Sequence, residues 1–411
     1  MTGPLPTPDT PGGRASVDTM NQERDDWRIG PNVVAARRLF DGHDFVEPPV
    51  VAFVDGRVDA IGADVTDEPT VVLDDMTLMP GFVDCHQHLV FDGEGTLEEQ
   101  VVGRTDDELR DRARAQARRA LEGGVTTLRD LGDRDFVTLA LRNDPDLPTI
   151  LCSGPPITRP NGHCWYLNGE CADAEETMAA IAERKERGCD VVKIMATGGH
   201  LTPTTPAWVS QFDADELRAV VAESHRLGLP VAAHCHGVEG ISDAIDAGVD
   251  TIEHCSFASE DPETAPEAEL IDRLVASGIP ASATFGRCPD TPMPPLPEQF
   301  EKRIANAIAS MTRVRELGGR IVVGTDAGIN PAKLHDVAPH AIEPLLMIGM
   351  STVEALAALT SASADALGLP NKGRLTPGAD ADMIAVRGDL GDDPDAVRNV
   401  AHVWRAGRPI R

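Results

Sequence analysis

Gly81-Phe82-Val83-Asp84-Cys85-His86-Gln87-His88 follows the apolar run Thr77-Leu78-Met79-Pro80 and reads as a buried strand. Successive strand side chains point to opposite faces, so His86 and His88 share one face. Two imidazoles side by side are a metal-binding pair, and the other ligands must come from elsewhere in the chain. A His-x-His pair also arises by chance, so the flanking sequence decides.

Downstream of Leu78, apolar strands alternate with amphipathic helical stretches, the pattern of a parallel α/β arrangement. Strands are predicted near Gly81–Cys85, Thr126–Arg129, Thr149–Ser153, Val191–Ala196, Val231–His234, Thr251–His254, Ala281–Thr284 and Arg320–Thr325. Helical stretches are predicted between them, among them Asp106–Leu121, Ala174–Arg187 and Asp213–Leu227. Several end at a glycine stop, such as Gly188, Gly248 and Gly278. Eight such units fit a (β/α)8 TIM barrel, with a doubly wound open sheet as the alternative.

Upstream, Val33-Val34, Val50–Val54 and Val58–Ile61 are short apolar runs, and Asp55-Gly56 is a hairpin signal. Beyond Gly368-Leu369-Pro370 the β texture returns at Gly373–Leu375, Ala381–Val386 and Val400–Trp404. The two segments are expected to pair as one discontinuous β-sandwich. The chain thus divides into a disordered tail at 1–26, sandwich segments at 27–77 and 370–411, and a barrel at 78–369.

Of the 411 residues, 41% are apolar, enough for a sizeable core. Lys plus Arg is 37 and Asp plus Glu is 67, a formal net charge of -30. That balance excludes nucleic acid and a polybasic membrane contact as partners. The 8 cysteines lack paired spacing, which reads as buried thiols rather than a secreted disulfide framework. No secretory signal opens the chain and no window is long and apolar enough to span a membrane, so a cytoplasmic protein is expected.

In a barrel, functional residues sit at the C-terminal ends of the strands. There the sequence places His86 and His88, then Lys193 inside an apolar run, His234-Cys235-His236, Glu253-His254, and Asp326 in Gly324-Thr325-Asp326-Ala327. Singly, His254 is a core histidine, Asp326 a helix cap and Lys193 a buried ion pair. Jointly they fit a metal centre. Imidazoles and a carboxylate hold a divalent transition metal such as zinc. A lysine amine that takes up CO2 becomes a carbamate able to bridge two metals about 3.5–4 Å apart. A water between them loses its proton near neutral pH, and Asp326 can take that proton and pass it to the leaving group.

These motifs resemble the amidohydrolase superfamily over almost the whole chain beyond the tail. The closer likeness is to its imidazolonepropionase-like and prolidase-like branch, through Lys193-Ile194-Met195-Ala196-Thr197-Gly198-Gly199, Ala233-His234-Cys235-His236-Gly237 and Thr251-Ile252-Glu253-His254. The resemblance implies two divalent metals, most readily zinc. His86, His88 and Asp326 bind one, His234 and His254 the other, and carbamylated Lys193 bridges them. It implies that His163 contacts the scissile carbonyl, although Asn161 replaces a glycine common in that loop. It also implies hydrolysis of an amide bond in a small molecule, a dipeptide or an N-acyl amino acid, and admits a homo-oligomer.

Lys193 argues against the mononuclear pattern of true imidazolonepropionases. The remaining rivals are a mononuclear deaminase or cyclic-amide hydrolase, and a non-catalytic scaffold, which would have lost ligands. Candidate substrate contacts are His163, Tyr166, His236, His200 and His335, with Arg159, Arg287 and Lys333 as candidate partners for a single carboxylate.

Overall fold

The β-rich runs of the N-terminal part form β1 (Asn32–Phe40), β2 (Phe45–Val46), β3 (Val50–Val54), β4 (Arg57–Ile61) and β5 (Val71–Pro80). The computed structural model describes residues 32–292 and 295–411, and the tail expected at 1–26 lies outside the described residues. Asp55 and Gly56 turn β3 into β4 with φ of 49° and 76°. This is the left-handed pair that matches the strand twist of a tight hairpin.

Gly81 alone separates β5 from β6 (Phe82–Gln87). A Cβ there would lie 2.3 Å from the Thr126 side chain, so glycine lets the next strand approach. β7 (Val125–Asp130) and β8 (Thr149–Cys152) pair parallel beside β6. A second parallel sheet runs through β9 (Val192–Met195), β10 (Val231–Gly237), β11 (Thr251–Ala258), β12 (Ala281–Ala283) and β13 (Ile321–Val323). Isolated parallel bridges link the two sheets at both margins, Ile157 to Ile194 and Gln87 to Ala327.

Helices connect the strands, among them Asp106–Glu122, Ala174–Arg187, Ala214–Arg226, Val238–Ala247, Ala268–Ser277 and Glu298–Glu316. Thr105 and Asp213 open two of them with capping boxes to Glu108 and Glu216, satisfying backbone donors that would otherwise be orphaned.

β14 (Met383–Arg387), β15 (Val400–Arg405) and β16 (Arg408–Pro409) return to the first sheet. Its order is β16-β15-β14-β5-β1-β3-β4, with β2 beside β1. The two flanking segments therefore pair directly, β14 lying antiparallel to β5. Hydrogen bonds link them into one eight-stranded sheet. β5 is the reason. Its ten residues pair with β1 over Val71–Leu78 and with β14 over Met76–Pro80, so one strand serves both halves. It also carries the sheet past the boundary expected at 77. Gly373–Leu375 joins no ladder, and Leu375 N–H donates instead to the Asp41 carbonyl.

The larger core lies among the parallel strands and their helices, and a smaller one gathers Val34, Leu78, Met383 and Trp404 inside the mixed sheet. All eight cysteines are free, and seven are buried. No helix among the described residues is long and apolar enough to cross a membrane.

Candidate metal centre

The end of β6 meets the end of β13. Asp84, buried in β6, accepts from Thr325 N–H at 2.9 Å and Thr325 Oγ1 at 2.6 Å. Asp326 N–H donates to the His86 carbonyl at 2.7 Å. These bonds bring His86, His88 and Asp326 together. His86 Nε2 and His88 Nε2 are 3.2 Å apart, and Asp326 Oδ1 lies 3.6 Å from the first and 3.3 Å from the second. A tetrahedral zinc with bonds of about 2.0–2.1 Å has ligand edges of about 3.3–3.4 Å. The three atoms already have that spacing.

Across the site, His234 Nδ1 and His254 Nε2 approach to 2.9 Å. His236 joins them, its ring stacked 4.4 Å from that of His254. The rear nitrogens are held: His88 Nδ1 lies 3.2 Å from the Gly132 carbonyl, His234 Nε2 3.0 Å from the Gly198 carbonyl, and His254 Nδ1 3.3 Å from Thr284 Oγ1. Each such contact leaves the other nitrogen's lone pair facing inward.

Burial, then the nearby Lys193 ammonium, pushes His86 down to about 4. Burial and the neighbouring rings hold His234, His236 and His254 well below the usual histidine range. These rings are neutral at pH 7, the form that binds metal. Burial would raise the Asp326 carboxyl, but its bond to His88 and the neighbouring His86, His88 and Lys333 outweigh this and hold it below the usual range.

Lys193 is fully buried, and its Nζ has no hydrogen-bond partner among the described residues. Burial pushes it down to about 8 against the opposing pull of Glu253 and Asp326. An unpaired buried ammonium costs on the order of several kcal/mol. Two clusters of inward lone pairs and a buried amine with no partner fit a divalent transition-metal centre, and the cluster chemistry is that of nitrogen and oxygen ligands.

The other candidates divide. His163 is buried, with its ring 4.5 Å from that of His234 and its Nδ1 2.9 Å from Thr202 Oγ1. Gly199 makes room for it, because a Cβ there would lie 2.3 Å from the ring. His200 is exposed at the rim, its ring 4.7 Å from His236 and 4.9 Å from Phe300. His335 corrects the expectation of a substrate contact. It is fully buried, with Nδ1 2.9 Å from Gln87 Oε1 and Nε2 2.9 Å from the Phe91 carbonyl, so the ring supports β6 from behind. Tyr166 is buried against Phe91, and its hydroxyl donates to Cys164 Sγ at 3.6 Å rather than standing free at the mouth. Arg159 is spent on Glu216 and the Phe212 ring.

Two buried groups had no role assigned from sequence, Glu253 and Arg129. Strict strand alternation turns Glu253 away from a site that includes His254. The backbone instead passes through the left-handed region at His254 (φ 64°) and Cys255 (φ 49°), which lets consecutive residues face inward. Their sequence signal is opposite charge within two buried strands.

A parallel α/β frame whose strand ends carry two histidine clusters, one with a carboxylate, defines a class of metal-dependent hydrolase. The model of the amidohydrolase family matches residues 77–410, and the chain belongs to that family as a metal-dependent amidohydrolase. It is 28% identical over 375 residues to ochratoxinase of Aspergillus niger, covering 80% of this chain and 75% of that protein. It is 24% identical over 400 residues to imidazolonepropionase of Salinispora tropica, covering 90% of each. A Xaa-Pro dipeptidase structure with bound methionine superposes with a TM-score of 0.77 at 25% identity, covering 92% of this chain and 99% of that one. These likenesses fall in the prolidase-like branch.

Proposed function

We propose that the chain hydrolyses the amide bond of a small molecule, a dipeptide or N-acyl amino acid, at a two-zinc centre. The observation that carries this reading is the orphaned Lys193 amine, buried close enough to act electrostatically on members of both ligand clusters. A carbamate on Lys193 turns that unpaired cation into an anion with two oxygens, removes its cost, and supplies the bridge. His86, His88 and Asp326 would hold one metal, and His234 and His254 the other. His236, whose Nδ1 meets Ser256 Oγ at 2.8 Å, is assigned to substrate. The bridges at Gln87–Ala327 and Ile157–Ile194 support closure of the two parallel sheets into a (β/α)8 barrel around this centre.

When bound, the metals acidify a water and polarise the substrate carbonyl. Asp326 takes the water's proton and returns it to the departing amine. His163, neutral because burial and Lys193 lower it to about 3, donates to the carbonyl oxygen as charge develops there. The amide-cleaving relatives and the dipeptidase likeness support this substrate class.

The test is metal content beside turnover. The native protein is expected to bind two zinc ions and cleave members of a dipeptide and N-acyl amino acid panel. Asp326→Asn is expected to keep the fold and lose turnover by about 100-fold or more, since general-base catalysis contributes that much. One metal per chain after zinc supplementation, with ammonia release, would favour the mononuclear deaminase. Turnover near native in Asp326→Asn removes its proposed role.

A further inference from the structure

Arg129, Glu253 and His86 form a buried chain, 3%, 0% and 1% exposed, running from the interior of the parallel strands to the site. Arg129 reaches across from β7. Its Nε donates to the Cys85 carbonyl of β6 at 2.8 Å, and its Nη2 donates to Thr251 Oγ1 at 3.1 Å and Glu253 Oε1 at 2.8 Å, both in β11. Thr251 Oγ1 donates to the same carboxylate oxygen at 2.6 Å. Oε1 is thereby saturated, and Oε2 stands 3.0 Å from His86 Nδ1, with neither of these two buried atoms in a formed hydrogen bond among the described residues. The rear nitrogens of His88, His234 and His254 face neutral oxygens. Only His86, among these four, faces a carboxylate.

We propose that Glu253 is a positioning residue for the metal centre. When metal seats the His86 ring, these two unpaired atoms complete a hydrogen bond in which Oε2 accepts from His86 Nδ1–H, and this fixes the ring as the tautomer whose Nε2 lone pair points toward His88 and Asp326. The Glu253 charge makes that imidazole a stronger ligand than its three neighbours. Arg129 and Thr251 hold the carboxylate in place and prevent it from turning inward to bind the metal itself. An ion pair without metal below it is a poor stabiliser, because desolvation offsets most of its attraction. The orientation of the pair, with one oxygen saturated and the other aimed at His86, supplies the reason for keeping it.

This inference rests on the metal-centre reading, and its test separates the two. Zinc dissociation constants are measured by chelator competition for the native protein and for Glu253→Gln, alongside the melting temperature of each metal-free protein. Glutamine keeps the acceptor and removes the charge. The variant is expected to bind zinc about 10–100-fold more weakly at the site that includes His86. Equal affinity in a folded variant overturns the role of Glu253 and leaves the metal centre standing. A native protein that takes up no zinc overturns both.

Glu253→Gln leaves Arg129 unpaired, and an unfolded variant shifts the decision to the native protein. Imidazole 15N shifts of the zinc-loaded enzyme, assigned for His86 by difference against His86→Asn, are expected to show a protonated Nδ1 and a coordinated Nε2. Coordination through Nδ1, or a proton on Nε2, overturns the proposal.

Discussion

Lys193 is the residue on which the chemistry of the site turns. An ordinary lysine, with a pKa of about 10.4, is less than about 1% neutral at pH 8. Burial brings this one down to about 8, so about half its amine is neutral there. CO2 adds only to the neutral amine, and the neutral fraction grows as pH rises through that value. At fixed dissolved CO2 and excess zinc, carbamate formation is therefore expected to increase between pH 7 and 9 and then level off. The 13C signal from labelled CO2, followed with zinc stoichiometry, measures it. Lys193→Ala is expected to lose the signal and at least one zinc. Uptake that is equal at pH 6 and 9, or a signal that survives in Lys193→Ala, would show that the carbamate does not form here.

Among the elements, the seam between β6 and β13 decides whether the first ligand cluster forms. Gly324 follows β13 directly, and a Cβ on it would lie 2.5 Å from His86 Cβ and 2.6 Å from Ser282 Oγ. Gly324→Ala must push the strands apart and shift His86 against Asp326. The expected cost is about 1–3 kcal/mol in urea unfolding, the usual range for overpacking, with weakened zinc binding. Native stability and zinc affinity together would show that the seam tolerates the displacement. This seam also marks where sequence reading succeeds and stops. The parallel strands were legible because apolar runs alternate with 3.6-period stretches and glycine stops, and each observed strand overlaps its expected position. His86, His88 and Asp326 were legible because strand ends collect functional groups. Glu253 was not, because the left-handed turn at His254 breaks the period of two on which face assignment rests. His335 was misplaced for another reason. It lies on an irregular segment, where no periodicity reports whether a polar ring faces the cavity or fills the space behind it.

At the scale of the whole molecule, β14 ties the mixed sheet to the parallel strands. Its alternate residues serve different cores: Met383 and Ala385 belong to the smaller, Ile384 and Val386 to the larger. Beside it, Leu78 of β5 enters the smaller core and Met79 the larger. Neither body can lose this pair of strands and keep its own interior, so the two are expected to melt together despite a chain length at which stepwise unfolding is common. Calorimetry on the metal-free protein should give one transition that coincides with far-UV circular dichroism and tryptophan fluorescence. Ile384→Ala, which empties space in the larger core, should lower that single transition as a unit, at a cost of about 2–5 kcal/mol. Two resolved transitions, with only one displaced by Ile384→Ala, would show that the mixed sheet is an independent domain. Joint melting would instead mean that the sheet built from both ends of the sequence clamps the parallel strands, and with them the spacing of the metal ligands at the strand ends.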